Sequence, residues 1–202
     1  MKKIMLTAVA VMAFAFSNAQ ETRFGVKAGA NLSNFSGDVE DAKSLIGFQV
    51  GGFAEFKLSD KFAIQPELLF STQGAKSEES EFGYSSEYKT HLSYINVPVM
   101  AKYYIVEKFS VEAGPQIGFL VSAKEKWETS GPGVSESGDE DAKDFYESIN
   151  FGVNFGAGYD FTENLSVGLR YNLGLSNIAK TEDGADFKIN NNVFSLSVGY
   201  KF

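Results

Sequence analysis

Cysteine is missing from all 202 residues; histidine occurs once, at His91, and tryptophan once, at Trp127. An exported chain without cysteine has no disulfide framework, so its fold holds without staples. One histidine and no thiol cannot make a Cys/His metal centre. Basic residues are also scarce. Eighteen Lys and Arg stand against 26 Asp and Glu, a formal net charge of −8. That balance argues against nucleic acid, whose partners are usually basic. There is no Walker loop and no dinucleotide fingerprint after a strand, so no cofactor is expected. Beyond Phe16 no apolar run approaches the ~20 residues of a spanning helix. If this chain crosses a membrane, it does so as strands.

What is present begins with MKKIMLTAVAVMAFAFSNAQ. Lys2 and Lys3 precede an apolar run from Ile4 to Phe16, and Ser17 and Ala19 supply small residues after it. This pattern is that of a secretory signal peptide over residues 1–19, cleaved after Ala19. The run is too short for a membrane anchor. The remaining residues, 20–202, are enough for one domain.

Those residues alternate. In INFGVNFGAGYDF, Ile149–Phe161, one face carries Ile149, Phe151, Val153, Phe155, Ala157, Tyr159 and Phe161. The other carries Asn150, Gly152, Asn154, Gly156, Gly158 and Asp160. Period two over this length is a strand signal. Eight such runs are expected: near Arg23–Asn34, Ile46–Leu58, Phe62–Gly74, Leu92–Ile105, Phe109–Ala123, Ile149–Phe161, Leu165–Ile178, and a last run ending in SLSVGYKF. Three connections are tight: Ser59–Lys61, Val106–Lys108 and Thr162–Asn164. Four are long and polar: Phe35–Leu45, Ala75–His91, Lys124–Ser148 and Ala179–Asn191. Short turns on one rim and long loops on the other describe an all-β, eight-stranded antiparallel up-and-down transmembrane barrel, with short periplasmic turns and long extracellular loops.

The faces decide between membrane and water. Eight strands enclose a lumen just wide enough for side chains. The Phe, Leu, Val and Tyr on every strand would crowd it, whereas Gly, Ser, Asn and a few long charged chains fit. The apolar face therefore points outward to lipid. Tyr103, Tyr159, Phe161, Tyr200 and Phe202 fall near the short-turn rim, where an aromatic girdle belongs. The last strand closes the sheet against the first, which leaves no unpaired edge in lipid. Its alternating run with Tyr200 and Phe202 resembles the signal that barrel-assembly machinery recognises.

Inward positions hold nearly all the strand charges. Counted from the nearest short-turn end, Lys27, Glu55, Glu67, Lys102, Glu112 and Arg170 lie about three to five residues up and form one layer. Neighbouring strands bring Lys27 toward Glu55, and Lys102 toward Glu67 and Glu112. Arg170 can bridge carboxylates with its planar fork. Charges in a narrow lumen must be paired or hydrated. The layer reads as a structural plug, with a gate or a polar path for a small solute as the alternative. Pro66, Pro98 and Pro115 fall inside three consecutive strands, which suggests a locally bulged wall.

The long loops are acidic, as in KSEESEFGYSSE and SESGDEDAKD. They read as solvated, mobile segments. Divalent-cation binding by Asp139, Glu140 and Asp141, bridging anionic lipopolysaccharide, is the sharper alternative, but the alternating spacing of an EF-hand is missing. His91 and Ser93 share a strand face, and nucleophilic catalysis needs a base within reach of a hydroxyl. No acid is identifiable to orient the histidine.

The stretches PELLFSTQGAK (Pro66–Lys76), YINVPVMAKYY (Tyr94–Tyr104), VEAGPQIGFLVSAK (Val111–Lys124), FGAGYDFTENLSVGLRYNLGLSNI (Phe155–Ile178) and VFSLSVGYKF (Val193–Phe202) resemble the PorT-like outer-membrane β-barrel family of the Bacteroidetes. The resemblance implies an eight-stranded barrel in a Gram-negative outer membrane. It is nearly silent on activity. PorT itself is associated with a protein secretion system, and extending that role to this chain is analogy. The expected function is a non-enzymatic structural, adhesion or secretion-accessory envelope protein with a narrow, charge-plugged lumen. Its partners are outer-membrane lipid and lipopolysaccharide, the barrel-assembly machinery and an envelope protein. The alternatives are a narrow channel for ions or small solutes, and a lipid A-modifying hydrolase using His91 and Ser93.

Overall fold

Alternating side chains place every second residue on one face of a strand, and a sheet with one apolar face and no edge in lipid must close on itself. The computed structural model, which describes residues 21–39, 42–81, 84–132, 134–180 and 187–202, closes in this way. The expected signal peptide lies outside the described residues. The strands are β1 (Glu21–Gly37), β2 (Lys43–Lys57), β3 (Phe62–Glu81), β4 (Tyr84–Val106), β5 (Phe109–Gly131), β6 (Val134–Asp141), β7 (Ile149–Asp160), β8 (Leu165–Gly174) and β9 (Ile189–Lys201). A 3-10 turn, Lys143–Phe145, follows β6.

Eight strands form the ring, in the order β1–β2–β3–β4–β5–β7–β8–β9. All pairings are antiparallel, and β9 returns to β1 from Gly25↔Lys201 to Gly37↔Ile189. β6 lies outside the ring and, among the described residues, pairs with β5 alone. At the short-turn rim, Thr162 Oγ1 accepts from the amides of Asn164 and Leu165. The Asn164 amide side chain donates to the Lys201 carbonyl, pinning the base of β9.

The faces sort as the alternation requires. Phe24, Phe48, Phe151, Phe155, Leu169, Leu196 and Phe202 are exposed on the outside, while Asn31, Ser71, Glu67, Asn154 and Arg170 are buried within. Two T-shaped pairs, Tyr159–Phe161 and Tyr200–Phe202, stand at the short-turn rim with centroids 5.1 and 5.7 Å apart. Gly74 is a position that needs glycine. Its φ is +144°, and an added Cβ would meet the Thr90 carbonyl at 1.8 Å. Strain there opposes any side chain.

Two expectations change. The register does not slip at the prolines, so the wall carries no bulge at them. Pro115 pairs with Val153 inside an unbroken β5–β7 ladder. Around Pro66 and Pro98 the ladders skip pairs and resume in the same register, because a proline lacks only its own donor. The register shifts lie elsewhere, at Ser44/Gln49, Ser93/Tyr94 and Tyr104/Val106.

The second change is larger. Most of Ala75–His91 and much of Lys124–Ser148 are strand, not mobile loop. β3 and β4 stay paired out to Glu81↔Tyr84, β4 and β5 to Ser85↔Ser130, and β5 and β6 from Lys124↔Asp141 to Gly131↔Val134. The upper halves of β3, β4 and β5 with β6 thus make a four-stranded sheet rising from the long-hairpin rim. Both its faces are largely polar, so no apolar period marks it in the sequence, and the backbone ladder carries it instead.

Candidate functional site

The lumen is filled in three levels. Lowest is a network of charges. Glu55, with its side chain fully buried, accepts from Lys102 at 2.6 Å, from Lys201 at 3.2 Å and from the Tyr104 hydroxyl at 3.1 Å. Lys201 also pairs with Asp160 at 3.1 Å. Gln65 accepts from Lys102 at 3.1 Å and donates to Glu67 at 2.6 Å, which joins this group to the next. Glu67 receives Lys27 at 2.8 Å and both terminal nitrogens of Arg170 at 2.9 Å. Arg170 then reaches Glu112 at 2.7 Å. Four carboxylates (Glu55, Glu67, Glu112, Asp160) meet four cations (Lys27, Lys102, Arg170, Lys201), so the network is neutral.

All six residues expected in a charge layer are in this network, but their partners differ. Lys27 reaches Glu67, not Glu55. Lys102 reaches Glu55, although Glu112 is its direct neighbour in the ladder. Register explains the first change: Lys27 stands opposite Gly51, and Glu55 stands opposite Arg23, two pleat repeats lower. Barrel strands are staggered, so counting from strand ends misjudges height. Lys201, Asp160 and Gln65 went unnoticed. Each has inward parity, which is the signal that could have found them.

The middle level is amide and hydroxyl. Ser195 donates to Asn31 and Asn31 to Ser71, at 2.8 and 2.9 Å. Gln73 donates to Ser71, and Asn191 to Gln73 at 2.6 Å. Asn172 donates to Asn154 at 3.1 Å. The top level is apolar. Phe35, Leu92, Tyr94, Leu120, Tyr146, Ile178 and Ile189 form a buried cluster, with small Ala75, Ala123 and Ala142 between them. The 3-10 turn folds Tyr146 across this mouth, where its backbone bridges Ala179 and its hydroxyl donates to Glu125 at 3.1 Å. Burial pushes the Tyr146 phenol up to about 12. The cavity among the charges, beside Lys27, Phe53 and Lys102, has a volume of about 30 Å³, room for no more than about two waters.

Above the mouth, register aligns the four-stranded sheet in rows. On the face that continues the lumen, Tyr88 lies opposite Trp127, and Trp127 lies opposite Gly138. The Trp127 ring covers Gly138, since a Cβ there would meet it at 2.7 Å. On the face that continues the lipid-facing side run three rows. Lys43, Lys76, Lys89, Lys126 and Asp139 form one; Glu78, Glu87, Glu128 and Ser137 the next; Ser80, Ser85, Ser130 and Ser135 the third. Lys43 pairs with Glu78 at 2.9 Å, while Glu87 joins Lys76 and Lys89. Hydrogen bonds from Lys76 and Lys43 hold the Glu78 carboxyl down to about 2.

His91 and Ser93 both face outward, below the lysine row. Among the described residues His91 makes no side-chain hydrogen bond, and its strand neighbours across the ladder are Gly74 and Lys124, not a carboxylate. Among the described residues no group of His, Cys, Asp and Glu could hold a metal ion. Asp139, Glu140 and Asp141 lie consecutively on β6, so they alternate between its faces and cannot converge on one cation.

Comparison with known proteins agrees with this geometry. A family model described as an outer membrane protein beta-barrel domain matches residues 17–180. β9 lies beyond the match, yet closes the ring. No curated protein matches. Among solved structures the chain is similar to neisserial surface protein A, with 14% identity, a TM-score of 0.52, and coverage of 91% of this chain and 100% of that one. It is also similar to Ail, the attachment invasion locus protein of Yersinia pestis, with 15% identity, a TM-score of 0.46 and coverage of 91% and 100%. OprG from Pseudomonas aeruginosa gives 12% identity, a TM-score of 0.43 and coverage of 92% and 98%. Family and fold together place the chain in the bacterial outer membrane, with the short turns in the periplasm and the four-stranded sheet outside the cell.

Proposed function

We propose a non-enzymatic surface role for this chain, which belongs to the outer membrane protein beta-barrel domain family: the barrel is a plugged anchor, and the extracellular sheet is its working part. The observation that carries this is the double closure of the lumen, by a neutral charge network below and an apolar cluster above. A path for solutes would have to breach both. The sheet, in contrast, offers an ordered surface with an aromatic pair, Tyr88 and Trp127, 51% and 38% exposed. Adhesion is the role that such a surface serves best. A secretion-accessory role, suggested by the PorT-like stretches, would use the same sheet to dock an envelope protein. A lipid A hydrolase is disfavoured, because His91 has lysines and not a carboxylate beside it.

The test is to shorten the sheet and leave the barrel alone. Replacing residues 77–88 and 127–138 by Asn-Gly turns joins strands already paired at Lys76↔Lys89 and Lys126↔Asp139. Cells displaying the trimmed chain are expected to keep a folded, heat-modifiable barrel, while attachment to cultured epithelial monolayers falls about tenfold, a loss of about 1.4 kcal/mol per contact. Unchanged attachment, with the envelope partner also still captured, would sink the reading.

Tyr200 and Phe202 act as the signal to the barrel-assembly machinery. Both point outward at the base of β9, and the Phe202 amide donates to the Phe24 carbonyl at 2.8 Å. Phe202→Ala is expected to lower the amount in the outer membrane several-fold in cells, yet to refold normally in detergent. Equal levels in cells would remove the assembly role.

A further inference from the structure

Four lysines from four adjacent strands stand side by side in one ladder row: Lys43 opposite Lys76, Lys76 opposite Lys89, and Lys89 opposite Lys126. Like charges placed directly across a sheet repel, so such a row needs counter-charge. The glutamate row one step higher supplies part of it, through Glu78 and Glu87. It does not supply all of it. Lys126 and Lys124 lie across the ladder from Asp139 and Asp141, yet neither lysine closes an ion pair with a carboxylate among the described residues, so both ammonium groups keep free donors. We propose that the row Lys43, Lys76, Lys89 and Lys126 binds the phosphate groups of outer-leaflet lipid headgroups.

Height selects this ligand. Lys76 and Lys89 share outward parity with Phe70 and Ile95, and the register shift at Ser93/Tyr94 brings Lys126 to the face that carries Phe119. A tilted strand gains about 2.5 Å of height per residue, so a band of ~25 Å that begins at Tyr103 ends near Ser93. Lys89 stands about 10 Å above that edge, within a lysine chain's reach of the headgroup layer. Lys43 lies nearer still, three residues beyond Ile46, which is 77% exposed on the outside. A groove of about 310 Å³ opens at this level, lined in part by Glu87, Lys89, Lys126, Glu128, Ser137 and Asp139. Burial, and then the charges of Lys126 and Lys89, push the His91 imidazole down. The order of the rows also fits. Cations lie next to the lipid phosphates and carboxylates lie beyond them, so the pattern fixes the depth at which the barrel floats. This goes beyond the adhesive reading and does not depend on it.

The experiment uses the full barrel in nanodiscs of neutral phosphatidylcholine doped with phosphorylated or with dephosphorylated lipid A, and reads co-purified lipid A by native mass spectrometry. The wild type is expected to retain the phosphorylated form about tenfold over the dephosphorylated one, and less of it as salt rises. The K43Q/K76Q/K89Q/K126Q variant is expected to lose that preference. A control set on the periplasmic rim, K57Q/K61Q/K108Q, is expected to keep it. Equal retention of the two lipids by the wild type overturns the proposal, and needs no variant to fold. An undiminished preference in the row variant overturns it as well.

Discussion

Glu67→Ala is expected to destabilise the barrel by about 3–5 kcal/mol in urea titrations from lipid vesicles, the cost of removing one partner from a buried ion pair. The Glu67 side chain is fully buried and holds Lys27, Arg170 and Gln65 at once. Its loss leaves two cations facing each other beside a cavity with space for about two waters. Glu112→Ala removes a carboxylate from the same arginine, but Arg170 keeps its two-nitrogen grip on Glu67. That variant is expected to lose about 1.5–3 kcal/mol, the range for a hydrogen bond to a charged group. Arg170→Met combined with Glu67→Leu, Lys27→Met and Glu112→Leu, which removes two cations and two carboxylates together, should recover most of the loss, because a packed apolar set can replace a buried ionic one. Equal, small effects of Glu67→Ala and Glu112→Ala would mean that water reaches the network and screens it.

The contrast between these two glutamates was invisible in the sequence, and the reason is geometric. Inward parity was legible: Lys27, Glu55, Glu67, Lys102, Glu112 and Arg170 all point into the lumen, since a two-residue period needs only one apolar face to set its phase. Partner choice was not legible. It depends on stagger around the ring, which moved Glu55 from Lys27 to Lys102 and Lys201. Ring closure was legible in Phe194, Leu196, Val198 and Tyr200. The extracellular sheet was not, because a strand such as β6, Val134–Asp141, has no apolar face to betray its period. The apolar cluster at the mouth was hidden for another reason. Phe35, Tyr146, Ile178 and Ile189 come from segments at or beyond the ends of the alternating runs, and only tertiary folding brings them over one opening.

That cluster changes what the lumen is expected to do. Were the charge network the sole barrier, Arg170→Ala would open a path past Glu67 and Glu112. The apolar level above it remains intact in that variant, and a constriction lined by Leu92, Tyr94, Leu120 and Ile178 excludes ions by staying dry. Tyr94 and Leu92 are fully buried there. In planar bilayers the wild type is therefore expected to show no resolved conductance steps, and Arg170→Ala is expected to remain silent. Leu92→Ala with Tyr94→Ala, which empties the cap alone, should be silent too, because the paired charges still fill the barrel below. The triple variant, Arg170→Ala with Leu92→Ala and Tyr94→Ala, opens the charge level and the apolar level together and is expected to give discrete steps. Openings in Arg170→Ala alone would mean that the mouth is not sealed, and the charge network would then be a gate rather than a plug. Silence in the triple variant would show that the amide level, built on Asn31, Ser71, Gln73 and Asn191, is a third barrier able to close the barrel without help.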